Sequence, residues 1–260
     1  MELSGWIVEK FDNGYIYLRK LPLLPPLIMK SQYPASPILF VQIEKLARKY
    51  KPLQIQIQPL KIEPGFKKYG YKLSGSSGHV TKTLQINLAL PEKKILAQMK
   101  KDARYGIRKA TEEAVQIIEV GKLAPFHKVW KKSVGWCRYV PSLKTLQNIK
   151  KAFGNKSLFL AAYHHKQIIA GIVILTTNRS AYYFYAFSSS EGRKKFAQYL
   201  LVWQAIRLAK KRGCQIFDFE GIYDERFPIK SWQGFSHFKK GFSGREIEFP
   251  GSFSKYRLPF

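Results

Sequence analysis

Two periodicities of hydrophobic and polar positions divide the first third of this chain into predicted strands and helices. Residues 53–59 alternate apolar residues with glutamines, and this period of two predicts a half-buried strand. Residues 38–50 carry apolar side chains three or four positions apart, which predicts a helix. Residues 15–21 and 83–88 are also predicted strands. Residues 65–78 are rich in Gly, Ser, Lys and Tyr, so they predict a loop.

The segment from Glu92 to Ala114 has the apolar stripe of a single amphipathic helix. Apolar residues recur along it at positions 96, 99, 103, 107, 110 and 114. Arg104 and Arg108 are off this stripe and four positions apart, so they lie on one side of the helix. They either follow an RNA backbone or form the solvated face of the helix.

The rest of the chain has an element order that resembles a known fold. The predicted elements are a strand at 115–120, helices at 123–136 and 142–153, strands at 158–163, 168–176 and 181–187, a helix at 194–212 and a strand at 215–219. This β-α-α-β-β-β-α-β order resembles the GNAT acyltransferase fold. The elements before it resemble a shortened copy of the same unit. We therefore predict an α+β protein with mixed sheets and two GNAT-like domains, at residues 1–118 and 119–244.

Composition and charge narrow the class of protein. The 260 residues include 45 Lys and Arg but 17 Asp and Glu, a net charge of +28, with 45% hydrophobic residues. The hydrophobic content excludes a disordered chain. The charge either attracts a polyanion, such as nucleic acid, anionic lipid or a phosphorylated substrate, or reflects a lysine-rich proteome. The longest apolar run, residues 21–29, is too short to cross a bilayer and the N-terminus does not resemble a secretory signal, so we predict a cytoplasmic protein.

The predicted start of the long helix differs from an acetyl-CoA site. GNAT enzymes hold the CoA pyrophosphate on backbone N–H groups of a glycine-rich turn there, because glycine lets the backbone approach the anion closely. The corresponding residues are 193–198, and Phe196 stands where the first glycine is required. We therefore expect no acetyl-CoA cofactor, although an acyl-CoA or acyl-carrier donor remains an alternative.

Three motifs together resemble the FemABX family. They are KKDARYGIRKA at 100–110, GCQIFDFEG at 213–221 and GFSHFKKGFSG at 234–244, and the resemblance covers about residues 80–260. It implies two GNAT-like domains with a cleft between them, the first domain being shortened and lacking the coiled-coil arm of some members. The tail, 245–260, is expected to return to the first domain. No cofactor is implied, because aminoacyl-tRNA is the co-substrate.

The family resemblance also implies the reaction and its partners. Members move an amino acid from aminoacyl-tRNA to the stem peptide of lipid II or of UDP-MurNAc-pentapeptide. Both substrates are anionic, which agrees with the basic charge, and a peripheral contact with an anionic membrane agrees with it as well. We expect a monomer at the inner side of the membrane. A non-catalytic RNA-binding module remains an alternative, since a shortened first domain need not close the cleft.

The resemblance assigns the chemistry to the pair Phe238-Lys239. An aminoacyl ester is already activated, so the enzyme has to align the substrates and place a cation near the developing oxyanion. Lys239 is the candidate cation; otherwise it is one of the 45 basic residues on a solvated face. Arg138 and Tyr139 fall where the family has a basic residue that contacts the phosphates of the precursor. Tyr185 corresponds to a tyrosine of the cleft, with Tyr182 and Tyr183 on the same strand as equal alternatives, or it is a core aromatic residue.

The remaining candidate residues for catalysis or metal binding are two carboxylates, the histidines and the cysteines. Asp218 and Glu220 are two positions apart on a predicted strand, so both point to one face. Either is a candidate base for the incoming ammonium, although in the family the Asp belongs to a largely structural segment. The five histidines and the two cysteines show no metal-ligand spacing, so we predict no metal site.

Overall fold

A computed structural model of the chain describes residues 5–12, 14–21, 24–35, 37–75, 80–134 and 139–257. These residues form two units. The first comprises the described parts of Met1–Lys82, Tyr223–Ile229 and Glu248–Phe260, and the second comprises those of Thr83–Ile222 and Lys230–Ile247. This division does not coincide with the predicted boundary near residue 118. Residues 83–118 lie in the second unit, because the strand that begins at Lys82 is hydrogen-bonded into the sheet of that unit.

The first unit contains a mixed sheet. Its strands are β1 (Trp6–Phe11), β2 (Gly14–Leu21), β3 (Leu24–Gln32), β4 (Gln54–Gln58), β5 (Lys72–Leu73) and β13 (Phe253–Tyr256), in the order β1-β2-β3-β4-β13-β5. Strands β3 and β4 are parallel, and the other pairs are antiparallel. Strand β13 therefore places the C-terminal tail beside β4, in the interior of this sheet.

Three features of the first unit differ from the sequence predictions. Strands β1 and β3 were not predicted, and β3 accommodates Pro25 and Pro26 where its register with β2 shifts. Strand β4 is not half-buried, because Gln56 and Gln58 are buried as well as Ile55 and Ile57. The predicted loop at 65–78 contains the short helix α2 (Gly65–Lys68) as well as β5. The predicted helix at 38–50 is observed as α1 (Phe40–Tyr50).

The second unit contains the larger mixed sheet. Its strands are β6 (Lys82–Asn87), β7 (Gln116–Glu119), β8 (Ser157–His164), β9 (Gln167–Thr177), β10 (Ser180–Ser188), β11 (Ile216–Gly221) and β12 (Arg245–Glu248), in the order β12-β6-β11-β10-β9-β8-β7. Strands β10 and β11 are parallel. The other pairs of neighbouring strands that have a defined register are antiparallel. The predicted α+β class with mixed sheets is therefore confirmed.

Helices cover both faces of this sheet. They are α3 (Glu92–Gln98), α4 (Lys101–Glu112), α5 (Leu123–Ser133), α6 (Leu143–Phe153), α7 (Ser190–Lys194), α8 (Ala197–Lys211) and α9 (Gln233–Lys240). Alternate residues of β8 and β9 belong to two separate apolar clusters, so these clusters lie on opposite faces. Helices α4 and α8 contribute to one cluster and α5 and α6 to the other. The order β-α-α-β-β-β-α-β from β7 to β11 agrees with the prediction.

One predicted helix is broken in two, and another begins slightly later than predicted. The stripe from Glu92 to Ala114 is interrupted at Met99 and Lys100, whose backbones are extended with ψ of 149° and 157°. There the Lys100 N–H donates to the Gly241 carbonyl at 2.8 Å instead of continuing a helix. The helix predicted at 194–212 is observed as α8, which begins after Phe196, a residue with a left-handed φ of 53°; the short helix α7 before it was not predicted. No helix of the described residues is both long and apolar enough to span a membrane.

Candidate active site

Strands β10 and β11 separate at their C-terminal ends. Their parallel pairing extends from Ser180 and Ile216 to Tyr182 and Asp218, and the register with the outer neighbour of each strand then shifts. Beyond this point the two strands no longer pair with each other. Backbone carbonyls at the end of β11 therefore need donors other than those of β10, since buried carbonyls are almost always hydrogen-bonded.

Lys239 supplies those donors from helix α9. Its Nζ donates to the carbonyls of Phe219 and Gly221, at 2.7 Å each. The side chain is buried, and Nζ lies 5.5 Å from the ring centre of Tyr183 and 4.8 Å from that of Phe235. Burial lowers the pKa of Lys239 to about 8, against the opposing charges of the nearby carboxylates. The ammonium is thus held at the separation of the two strands, beneath aromatic rings.

Two carboxylates, the buried Asp218 and the half-buried Glu220, shape the end of β11. Asp218 accepts hydrogen bonds from the Thr83 hydroxyl, from Gln85 Nε2 at 2.8 Å and from the Glu220 N–H at 2.7 Å. Glu220 has a left-handed φ of 58°, and its carbonyl accepts from the Thr83 hydroxyl at 2.8 Å. Burial and the Asp218 charge raise the pKa of Glu220 to about 7, while Lys239 acts in the opposite direction. Asp218 therefore holds the bulge that brings both flanking carbonyls towards Lys239.

An aromatic cavity of about 580 Å³ lies beside this point, within the second unit. Strand β10, the end of α5, the junction of α7 and α8, and α9 line it. Its aromatic lining residues are Trp130, Tyr139, Tyr183, Tyr185, Phe187, Phe196, Tyr199, Phe235 and Phe238. The rings of Tyr183 and Phe235 line this cavity and are also the rings that lie close to the Lys239 ammonium. Burial and a hydrogen bond with Tyr139 raise the pKa of Tyr185 to about 12.

The junction of α7 and α8 is filled by side chains and internal hydrogen bonds. The Phe196 N–H donates to the Arg193 carbonyl at 3.2 Å, so it is not free to bind an anion. The Phe196 ring packs edge-on against Tyr105, with a centroid distance of 5.5 Å. Gly192 is required for packing, because a Cβ there would lie 2.3 Å from the Ile169 carbonyl oxygen. This segment lacks the open glycine turn that would hold a pyrophosphate.

The predicted site residues fall into four groups. Tyr139, Tyr185 and Phe238 line the cavity, while Lys239 and Asp218 lie where the two strands separate. Arg138 lies outside the described residues. Arg104 and Arg108 are not at the cavity. Arg104 donates to carbonyls at the end of α3, and Arg108 forms an ion pair with Glu112.

Several cavity residues were not identified from the sequence. Trp130, Tyr199 and Phe235 have the helical spacing of ordinary core residues, and Phe196 was noted only as an obstacle to CoA. The high aromatic content was the available signal, but it does not say which rings meet. Within the described ranges, no group of three or more His, Cys, Asp or Glu side chains could hold a metal ion.

Comparisons with known proteins agree with this architecture. The FemAB family model matches residues 138–260. No curated protein sequence matches the chain. The crystal structure of FemX superposes with a TM-score of 0.80 and 14% identity, covering 98% of this chain and 89% of that one. The structure of L-PGS from Bacillus licheniformis gives a TM-score of 0.69 and 12% identity, covering 98% and 85%.

A third similar structure is itself described as a tandem GNAT protein. The tandem GNAT protein from the clavulanic acid biosynthesis pathway gives a TM-score of 0.59 and 11% identity, covering 94% of this chain and 79% of that one. At such identities these likenesses show the fold alone. The predicted tandem GNAT-like fold is therefore confirmed.

Proposed function

With its residues 138–260, this chain belongs to the FemAB family, and from that membership we propose that it is a tRNA-dependent aminoacyltransferase. The donor is an aminoacyl-tRNA, and the acceptor is an amine on the stem peptide of a peptidoglycan precursor, either lipid II or UDP-MurNAc-pentapeptide. The observation that carries the proposal is the Lys239 ammonium, held beside an aromatic cavity where two parallel strands separate. Its role would be in building the interpeptide bridge of the cell wall.

The proposed reaction is the aminolysis of an ester. The acceptor nitrogen attacks the ester carbonyl carbon, and the new C–N bond gives a tetrahedral intermediate with a negatively charged oxygen. The bond from carbon to the ribose oxygen then breaks. The nitrogen loses one proton and the ribose oxygen gains one, so the reaction needs no redox partner and no further co-reactant. The protein contributes alignment of the substrates and a fixed positive charge.

Lys239 is the proposed source of that charge. A lysine ammonium has three N–H donors, and the carbonyls of Phe219 and Gly221 engage two of them. One N–H is left for a substrate oxygen that enters between the strands. Because the two carbonyls hold Nζ in place, little reorganisation is needed when negative charge develops. Asp218 is a positioning residue here, since it acts through the bulge of β11.

Three of the remaining predicted residues have proposed roles in binding. Tyr139 and Tyr185, which are hydrogen-bonded to each other on the cavity wall, would position the acceptor peptide. Arg138 would bind the precursor phosphates with its planar guanidinium. Arg104 and Arg108 lie on α4, which packs on the other face of the sheet from α5 and α6, so they have no role in this proposal. Since aminoacyl-tRNA is a cytoplasmic substrate, the reaction would take place on the cytoplasmic side of the membrane.

Transfer of a labelled amino acid tests this function. The protein is incubated with a mixture of radiolabelled aminoacyl-tRNAs and UDP-MurNAc-pentapeptide, and in parallel with lipid II, and the precursor is then analysed by mass spectrometry. We expect one precursor to gain the mass of an aminoacyl residue. Isothermal calorimetry with acetyl-CoA tests the alternative of a CoA-dependent acyltransferase. Saturable acetyl-CoA binding without any aminoacyl transfer would overturn the proposal.

A further inference from the structure

A long part of the second unit carries no negative charge. The sequence has no Asp or Glu between Glu119 and Glu191, although the chain has 17 such residues. Helices α5 and α6 lie in this interval, and their lysines are exposed. A basic charge in this region therefore has no carboxylate from neighbouring parts of the sequence to neutralise it.

Five of these lysines form one surface, which we call the lysine face. They are Lys128, Lys131 and Lys132 on α5 and Lys144 and Lys151 on α6. The spacings of three, four and seven residues put the lysines of each helix on one side of it. The opposite side of α5 carries the buried Phe126 and Trp130, and the opposite side of α6 carries the buried Leu146. Both helices pack on the same side of the sheet, so both lysine rows point away from it.

The lysine face lacks counterions among the described residues. None of its five lysines forms an ion pair with a carboxylate of the described residues, whereas Lys49, Arg108, Lys195 and Arg207 elsewhere do. Unpaired ammonium groups on a folded surface are available to bind the phosphates of a polyanion. Binding of a polyanion there would cost no existing ion pair.

The extent and polarity of the lysine face favour RNA over a membrane. Lys144 and Lys151 are seven residues apart, about 10 Å along the helix axis, so the charges spread over a surface and do not converge on one phosphate. A helix that lies in a membrane surface exposes large apolar side chains. The exposed large apolar residues of the described chain include none from α5 or α6. The charges therefore fit an extended row of phosphates in water.

Helix α5 carries lysines of the lysine face on its outer side and contributes to the aromatic cavity with its inner side. Trp130 and Ser133, at the C-terminal end of α5, line the aromatic cavity. We propose that the lysine face binds the phosphate backbone of an RNA duplex whose 3′ end enters this cavity. That the RNA is the acceptor stem of the donor rests on the proposed function; that the face binds duplex RNA does not.

The test compares two triple variants of equal charge. The first replaces three lysines of the face (Lys128→Gln, Lys131→Gln, Lys132→Gln). The control replaces basic residues with the same helical spacing on α1 of the first unit (Lys45→Gln, Arg48→Gln, Lys49→Gln). Both lower the net charge equally. The probe is a short RNA duplex with a single-stranded 3′ end, and its affinity is measured by fluorescence anisotropy at a series of salt concentrations.

We expect the first variant alone to bind the RNA more weakly. A plot of log K against log salt concentration has a negative slope, and for this variant the slope should become less steep by about 0.9 for each phosphate that is no longer neutralised. The control should keep the wild-type slope. Equal losses of affinity in both variants, or no loss in the first, would overturn the proposal. So would a first variant that no longer binds phosphatidylglycerol vesicles but still binds RNA, because the face would then be a membrane contact.

The two proposals can fail separately. If the wild-type protein binds the RNA through the lysine face but modifies no precursor, the proposed function fails and the lysine face stands. If the first variant transfers amino acids and binds RNA as the wild type does, the lysine face fails alone. Thermal unfolding of both variants checks that they fold, which we expect because all the substituted side chains are exposed.

Discussion

The pH dependence of aminoacyl transfer tests the role of Lys239 most directly. Burial lowers its pKa from the ordinary 10.5 to about 8. The proposed role requires the ammonium, so the transfer rate of the wild-type protein should fall as the pH rises through about 8. The measurement is a single-turnover reaction with preformed aminoacyl-RNA at several pH values. The Lys239→Met variant reports the uncatalysed loss of the ester and should show no such fall.

The same pKa shift predicts a measurable change in stability. A shift from 10.5 to about 8 corresponds to about 3 kcal/mol. Between these pH values the unfolded state holds the proton and the folded state does not, so the free energy of unfolding should rise with pH by up to that amount. In Lys239→Met this rise should be missing. Chemical denaturation of both proteins at pH 7 and pH 10 measures it.

The variant is expected to remain folded. Methionine leaves the carbonyls of Phe219 and Gly221 without their donor, which costs about 1–3 kcal/mol each. Removal of the buried charge offsets about 3 kcal/mol of this. Lys240→Met is the matched control, because Lys240 lies on the same helix and pairs with Glu246 near the surface. A wild-type rate that keeps rising from pH 8 to pH 10 would refute the cationic role of Lys239.

Three further substitutions test other parts of the site. Because burial raises the pKa of Glu220 from 4.5 to about 7, the free energy of unfolding should fall by up to about 3 kcal/mol between those pH values; denaturation of Glu220→Gln should lack this fall, and an unchanged profile would count against the shift. Gly192→Ala should lower stability by about 1–3 kcal/mol, since its Cβ meets the Ile169 carbonyl, whereas Gly121→Ala, which has open space, should melt like the wild type. Tyr185→Phe should raise KM for the precursor while kcat and the melting temperature stay the same, and an unaltered KM would remove the proposed contact.

Hydrophobic periodicity alone predicts most of the strands and helices that form the core of the second unit. The strands β8, β9 and β10 and the helices α5 and α6 follow from hydrophobic periodicity, because each buries one or both faces in a continuous apolar layer. Periodicity did not identify β3, because prolines are uncommon inside strands; the register of β3 with β2 shifts in this part of the strand. It also missed the break at Lys100, where the backbone N–H donates to the carbonyl of Gly241, far away in sequence, instead of continuing a helix.

The same distinction holds for the site. Motif resemblance singled out Phe238 and Lys239 from the sequence, because those two residues are adjacent in the chain. Which groups surround Lys239 was decided by the tertiary structure: Phe219 and Gly221 are 18 or more positions away, and only the separation of β10 and β11 leaves their carbonyls open to Nζ. A local pattern records which faces are apolar. It does not record which distant backbone groups are left without partners when two strands part, and those groups are what hold the ammonium in place.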